Sequence, residues 1–463
     1  MISSILFFIV CMVFFRYPLA GLFTILAFLT GGSNIAAKIF AHAQFWVFNS
    51  YEAAFVVSTV SLLRRPSRIR LDAIGVTVWM MTLCGVLSII LYTNDLTRNI
   101  LKLIMDKLAM WGMLYTALTR LTDSERTWVR YGLMIAASMT GLLLVVGILT
   151  GSPLILKQLS SLQGNNAITG SQIAGLSVQA YMLRRITLPG VWTLMPMGIW
   201  PCFWGAVLWW KTEYSLRSWA CLGGIFFILY AIALNLTRNL VAGIAGGLMV
   251  MWALAWICRK EPLLAFQKFM IRGAVLGGVV IIVWQPFFDR IAALWDERLF
   301  GSQQSVSLLA RLNQNQFMMD DMLRHFSLLG MGEPVKLIGG DPHQLIMAWW
   351  TYGLLFALCL LVLHILGIAG LLKVVLGRTP QSRSNLLLAL VWIGFWVNMQ
   401  MGAASGDYLF DSTWFMLMYF LSEVSLLSAG AADVAGYQIK EAVLPDFQAD
   451  FATLHQSRSR PAA

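Results

Sequence analysis

Residues 345–372 read LIMAWWTYGLLFALCLLVLHILGIAGLL, with no acidic residue, lysine or arginine and a single histidine, His364. An α-helix of that length rises by roughly 40 Å, more than the ~30 Å of hydrocarbon in a bilayer. The run lacks the apolar and polar alternation of a barrel strand, so it predicts a helix that crosses a membrane.

Apolar stretches of similar kind recur along the whole chain. Its 463 residues are 59% hydrophobic and only 12% charged, with a mean hydropathy of +0.72. A soluble domain must keep a charged skin, so this composition predicts an all-α, polytopic integral membrane protein. The net charge of +11 does not point to nucleic acid, because the basic residues gather in short connections between apolar runs, as in cytoplasmic loops. The six cysteines, Cys11, Cys84, Cys202, Cys221, Cys258 and Cys359, lie in apolar runs without metal-ligand spacing and read as small buried hydrophobes.

In order, the chain predicts about 12 transmembrane helices with both termini in the cytoplasm. Met1 to Thr30, apolar except for Arg16 and Pro18, reads as one retained tilted crossing, the alternative being two short half-spans, and the next crossing runs from about Phe45 to Leu63. RRPSRIR, with Arg64, Arg65, Arg68 and Arg70, marks the cytoplasm. Ala73–Tyr92 and Ile100–Leu118 follow, then the cytoplasmic turn TRLTDSERTWVR, then Tyr131–Thr150. Residues 153–190 form a first outer loop that ends in MLRRITLPG. Arg184 and Arg185 there run against the positive-inside pattern, which suits either an anionic ligand or headgroup contact by a surface helix.

From Val191 the chain crosses to KTEYSLR, returns through Trp219–Leu236, and crosses again through Leu240–Cys258 after a minimal outer turn that holds Arg238. RKEPLLAFQKFMIR reads as a cytoplasmic loop and Gly273–Trp284 as the next crossing. A larger outer loop occupies residues 285–344, and Leu345–Leu372, Leu386–Met401 and about Tyr408–Leu427 complete the set. Residues 1–432 thus form a single membrane domain, and 433–463 a polar, flexible cytoplasmic tail.

Ionisable residues deep in the crossings are few and scattered: Glu52, Asp106, Lys107 and His364. Ion-coupled transporters concentrate such groups near the bilayer centre, and no internal repeat is visible. The polar inventory lies in the larger outer loop instead. There Leu308, Leu312, Met319, Met322, Leu323 and Phe326 recur at helical spacing, opposite Asn313, Asp320, Asp321 and Arg324, which predicts an amphipathic helix flat on the bilayer. Gly330 and Gly332 end it, Arg311 borders its apolar face, and His325 reads as a surface residue. His343 follows Pro342 at the mouth of the next span. A histidine there suits proton transfer from a hydroxyl near neutral pH, the plainer alternative being a helix-capping or interfacial role.

The succession LTRNLVAGIAGG (236–247), ARLNQ (310–314), LLGMGEP (328–334) and DPHQLIMAWWTYGLLFALCL (341–360) resembles the carboxyl-terminal signature of the O-antigen ligase and polysaccharide polymerase superfamily, polytopic glycosyltransferases of bacterial inner membranes. The matching positions are Arg238, Arg311, Gly330 with Gly332, His343 and Gly353-Leu354. In the first half the resemblance rests on topology and on ITGSQIAGL (168–176). Gln344 stands where the family usually has asparagine after the histidine, and Thr237-Arg238-Asn239 replaces its Ser-Arg or Arg-Gly pairing.

The resemblance implies an inverting, metal-independent glycosyltransferase without cofactor, whose outer loops are periplasmic. Its donor is an undecaprenyl-diphosphate-linked oligosaccharide and its acceptor a glycan hydroxyl, with the lipid bilayer and optionally a chain-length regulator as further partners. Arg238 and Arg311, helped by Arg184 or Arg185, would hold the diphosphate, because guanidinium stays charged and grips phosphate oxygens bidentately. His343 would be the general base, with Asp341 and Gln344 orienting it. A metal-dependent alternative places magnesium or manganese on Asp320 and Asp321. The His343–Gln344 departure and the extended second loop lean toward repeat-unit polymerisation. A ligase that attaches polymer to lipid A core, a transporter or flippase for a lipid-linked or anionic solute, and a structural scaffold are the other readings.

Overall fold

In a computed structural model, the residues described are 2–27, 44–45, 48–66, 72–92, 104, 108–150, 194–210, 215–234, 238–283, 285, 289, 316–321, 323–324, 328–330, 344–377, 381–403 and 411–433. Apart from one two-residue ladder, the elements among them are helical. Among the described residues, five helices are long and apolar enough to cross a membrane, six if one bent pair counts as a span, and two shorter apolar helices accompany them. The chain is therefore a multi-pass helical membrane protein.

The opening stretch, expected as one crossing, is two helices, α1 (Ile2–Arg16) and α2 (Pro18–Ala27), bent by 115° where they meet. Pro18 has no N–H and disfavours helical geometry at Tyr17, so the first helix stops there and the proline opens the second. The crossing expected from Phe45 starts later. Gln44–Phe45 (β1) pairs antiparallel with Phe48–Asn49 (β2), and α3 spans Ser50–Leu63.

Next come α4 (Ala73–Tyr92), α5 (Leu114–Leu118) behind a π-helical turn at Ala109–Met113, and α6 (Asp123–Thr150). Asp72 caps α4 by accepting the Gly75 N–H at 2.7 Å. Thr122 and Glu125 form a reciprocal capping box at the start of α6: the Glu125 N–H donates to Thr122 Oγ1 at 3.2 Å, and the Thr122 N–H donates to Glu125 Oε2 at 2.9 Å. The helix therefore begins inside the stretch expected as a connecting turn.

The remaining helices are α7 (Leu194–Leu208), α8 (Ser215–Leu234), α9 (Arg238–Cys258), α10 (Glu261–Val283), α11 (Gln344–Tyr352), α12 (Leu354–Leu376), α13 (Arg383–Ala403) and α14 (Asp411–Asp433). Two differ from expectation. The segment after Lys260, expected as a loop because it is charged, is the first half of α10, with Pro262 in its first turn where a missing N–H costs nothing. The apolar run 345–372 is two helices separated at Gly353.

α12 is the hub, packed against α4, α11, α13 and α14. α7 is apolar on every face and buried along nearly its whole length among α6, α8 and α13, as such a helix must be. α9 lies along α13, where a Cβ on Gly247 would stand 2.6 Å from the Gly394 carbonyl oxygen, so glycine is what permits the approach. Large apolar side chains such as Met12, Leu83, Leu216 and Ile282 cover the outside of the bundle, the surface that hydrocarbon would solvate.

One end of the bundle collects the ion pairs found among the described residues. Arg65 meets Glu125, and Lys260 Nζ donates to the carbonyls of Val375 and Gly377 at 2.8 and 2.7 Å, capping the C-terminus of α12. We refer to it as the basic end.

Candidate functional site

At the other end, the break in α11–α12 carries the most specific geometry. Gly353 has φ +94° and ψ 169°, so it leaves the helix, and α12 starts afresh at Leu354. A restarted helix exposes N–H groups that need acceptors. One is supplied from upstream: the Leu355 N–H donates to the carbonyl of Leu328 at 3.3 Å. Gly330, in the same turn as Leu328, also has a positive φ, +72°.

The two glycines touch through their backbones. A Cβ on Gly353 would lie 2.5 Å from the Gly330 nitrogen, and one on Gly330 would lie 2.6 Å from the Thr351 carbonyl oxygen. Gly330 of the Leu-Gly-x-Gly motif and Gly353 of the Gly-Leu pair, far apart in the sequence, thus form one contact. Across the bundle, Ser88 Oγ of α4 donates to the same Thr351 carbonyl at 3.3 Å. Rings hold the break from both sides: Tyr352 and Phe356 pack with centroids 4.6 Å apart, and each meets Trp111, at 5.4 and 5.1 Å.

The turn is preceded by a short helix, described at 316–321. Met318, fully buried, packs with Met347 and Trp350 of α11, and the Phe317 ring lies 6.1 Å from that of Trp350. Met318, absent from the expected stripe, is the buried residue of this helix, whereas Leu323, placed on the apolar face by its spacing, is 65% exposed, as a side chain turned toward hydrocarbon would be. Asp320 is exposed and Asp321 partly so.

Arg238 is the first residue of α9. α9 and α13 run antiparallel, with Gly243 facing Asn398 and Gly247 facing Gly394. Extended upward, that register sets Arg238 level with the Ala403 end of α13. Close below that level, the Gln400 side-chain amide donates to His364 Nδ1 at 2.9 Å, joining α13 to α12. His364, which the sequence leaves isolated, is an interhelical partner.

Gln344 opens α11 and is 5% exposed, so its amide is enclosed by the bundle. His343, Asp341, Arg311, Arg184, Arg185, His325 and Gly332 lie outside the described residues, as do Asp106, Lys107, the loop 153–190 and the tail beyond 433. The structure thus brings together the Gly330 turn, the Gly353 break, the short helix and α11, and places Arg238 at the head of α9.

Sequence reasoning missed one polar centre. At the basic end, Glu423 of α14 is fully buried and accepts from Arg126 Nε at 3.1 Å and from Arg130 Nη2 at 2.8 Å, both on α6. Arg130 also lies 5.6 Å from the centroid of the Trp204 ring. The available signal was Glu423 itself, the one carboxylate within FMLMYFLSEVSLL, since an intramembrane charge demands a partner. Nearby, the Tyr115 hydroxyl bridges Ser425 Oγ at 2.7 Å and Asp72 Oδ1 at 3.2 Å.

No protein-family model matches the chain, and no curated protein matches it significantly in sequence. Fold and site together define a class: a polytopic helical membrane protein whose described residues hold a buried ionic centre at one end and, at the other, a turn docked onto a broken helix.

Proposed function

We propose that the protein transfers a glycan from an undecaprenyl-diphosphate-linked donor to a sugar hydroxyl at the periplasmic face of a bacterial inner membrane, polymerising the repeat units of a surface or secreted polysaccharide. The observation that carries this reading is the junction of the Leu328–Gly330 turn with the Gly353 break. It gathers, at the end opposite the charges, the segments that flank His343 on either side in the chain. The basic end is then cytoplasmic, and the break faces the periplasm.

In this mechanism Arg238 and Arg311, with Arg184 or Arg185, bind the donor diphosphate and stabilise the charge that grows as it leaves. His343 takes the proton of the acceptor hydroxyl. The oxygen attacks the anomeric carbon from the side opposite the diphosphate, the bond to the lipid diphosphate breaks, and the configuration inverts. Asp341 and Gln344 orient the imidazole, and the enclosure of Gln344 at the start of α11 suits that task.

The test is His343→Ala with analysis of the lipid-linked species that accumulate. Single repeat units support a polymerase. Full-length unattached polymer indicates a ligase acting on lipid A core, and substrate retained on the cytoplasmic side indicates a transporter. Normal polymer from this variant removes His343 from the mechanism. Arg238→Lys adds a second arm, in which turnover falls while protein level holds.

The transporter reading has one observation in its favour, the buried Arg126–Glu423–Arg130 cluster, since charge pairs within the membrane often lie on solute pathways. Glu423→Gln separates the two: a transport pathway loses flux with the fold intact, whereas a structural pair loses stability first.

A further inference from the structure

We propose that Gly330 and Gly353 are positioning residues, forming a backbone clasp that seats the short outer helix and α11 against the head of α12 and so holds the segment between them in working geometry. The inference rests on the transferase reading for the word working. The clasp itself is read from the described residues alone.

Three features make it a clasp. Both glycines adopt left-handed backbone, φ +72° and +94°, where an L side chain is strained. Each also occupies space in which a Cβ would collide with backbone of the other segment: Gly330 N stands 2.5 Å and Thr351 O 2.6 Å from the respective Cβ positions. Backbone has no rotamer with which to yield, so a methyl at either site pushes the turn off the break. Finally, the contact exchanges a hydrogen bond, Leu355 N–H to Leu328 O at 3.3 Å, which satisfies an otherwise orphaned N–H in the first turn of α12.

An apolar half closes beside the polar one. Met318 meets Met347 and Trp350, with Phe317 against Trp350. Thirteen residues, 331–343, connect the clasped turn to the first residue of α11, and this connection carries Asp341 and His343. Its two ends are attached to one rigid unit, about 12 Å apart along α11 by helical rise. Opening the clasp frees one end and lengthens the reach over which His343 must be found in place.

Arg238 lies on α9, outside the clasp, whereas Arg311 precedes the short helix that the clasp seats, so opening the clasp bears on donor binding as well as on base placement. In Gly353→Ala and Gly330→Ala the expected kinetic signature is a kcat reduced by up to ~100-fold, because ångström-scale misplacement of a reacting group is costly in rate. Gly277→Ala and Gly278→Ala serve as controls, since nothing lies within 4 Å of a Cβ at either position.

The experiment pairs steady-state glycan transfer by the purified full chain with a readout independent of activity. Met318→Cys and Met347→Cys are introduced together, and their disulfide is quantified by mass spectrometry in the parent and in each glycine variant. Support requires a disulfide yield that falls several-fold in Gly353→Ala and Gly330→Ala, together with the kcat loss, while the controls stay at the parental level. A parental disulfide yield in both variants overturns the clasp, and a lost disulfide with parental kcat overturns its positioning role while leaving the transferase reading intact. A parent that transfers no glycan overturns the transferase reading, and the positioning role with it. Where Gly353→Ala lowers the amount of folded protein, Met318→Ser opens the clasp from its apolar side without backbone strain, read through kcat under the same criterion.

Discussion

Arg130 donates to Glu423 at 2.8 Å across 293 residues of chain, in a place where both residues are buried. Taking two charges out of water is expensive, and the pair persists because each removes the other's penalty. Truncating one partner therefore costs more than the pair is worth. Glu423→Ala, which strands two guanidinium groups, is expected to lose about 3–5 kcal/mol. Arg126→Ala costs less, because Glu423 keeps Arg130 and Arg126 also reaches Asp123 at 3.7 Å. Thermal unfolding in detergent, followed by loss of the monodisperse chromatographic peak, ranks the two; equal melting of Glu423→Ala and parent contradicts the burial.

The glycine contacts between α9 and α13 predict a size limit. Gly247→Ala drives a methyl to within 2.6 Å of the Gly394 carbonyl oxygen, and overpacking of this kind costs about 1–3 kcal/mol. Gly273→Ala, on α10 with nothing within 4 Å, should change stability by less than about 0.5 kcal/mol. The same melting assay compares them, and a neutral Gly247→Ala refutes close helix approach at that level.

His364 and Gln400 predict a coupling. Each changed singly to leucine should lose about 0.6–2 kcal/mol, the range found for hydrogen bonds between membrane helices. The double variant should lose less than the sum, because the second substitution removes an already orphaned partner. Strict additivity in a double-mutant cycle dissolves the pair.

Glu125 offers a pH dependence outside the membrane-spanning segments. Burial pushes its carboxyl up, but the hydrogen bonds from Arg65 and Thr122 prevail and hold it below its ordinary value. Its contribution is present above the unfolded value and fades as pH falls through the lowered folded value. Arg65 is 34% exposed, so water screens the pair and the stake is about 0.5–1 kcal/mol. Parent and Glu125→Gln should therefore differ in melting at neutral pH and converge as pH falls below the ordinary carboxylate range. A difference that grows on acidification has the wrong sign.

Several crossings were legible because hydrophobicity accumulates within a segment. Ala73–Tyr92 reads the same in sequence and structure, and Leu240–Cys258 and Leu386–Met401 differ by a few residues at their ends. Where charge and helix coincide, the pattern misleads. The RKEPLLAFQKFMIR segment looks like a loop, yet Leu263 and Phe266 are buried and Lys260 caps α12, so a helix with one apolar face suffices. The packing of Met318 on Trp350, a residue of a different helix, is a contact that no local period reports.

By itself the sequence determined the class of this protein, an all-helical membrane chain with its charges gathered outside the apolar runs, because the transfer of each segment into hydrocarbon depends on its own composition. It also supplied the residues proposed for chemistry, His343, Arg238 and Arg311. Only the tertiary structure decided that the run 345–372 breaks at Gly353, that the Gly330 turn fills the break, and that Glu423 has two arginines. Those outcomes depend on which distant backbone or charge comes within a few ångströms, and such proximity is a property of packing that no single stretch of chain contains.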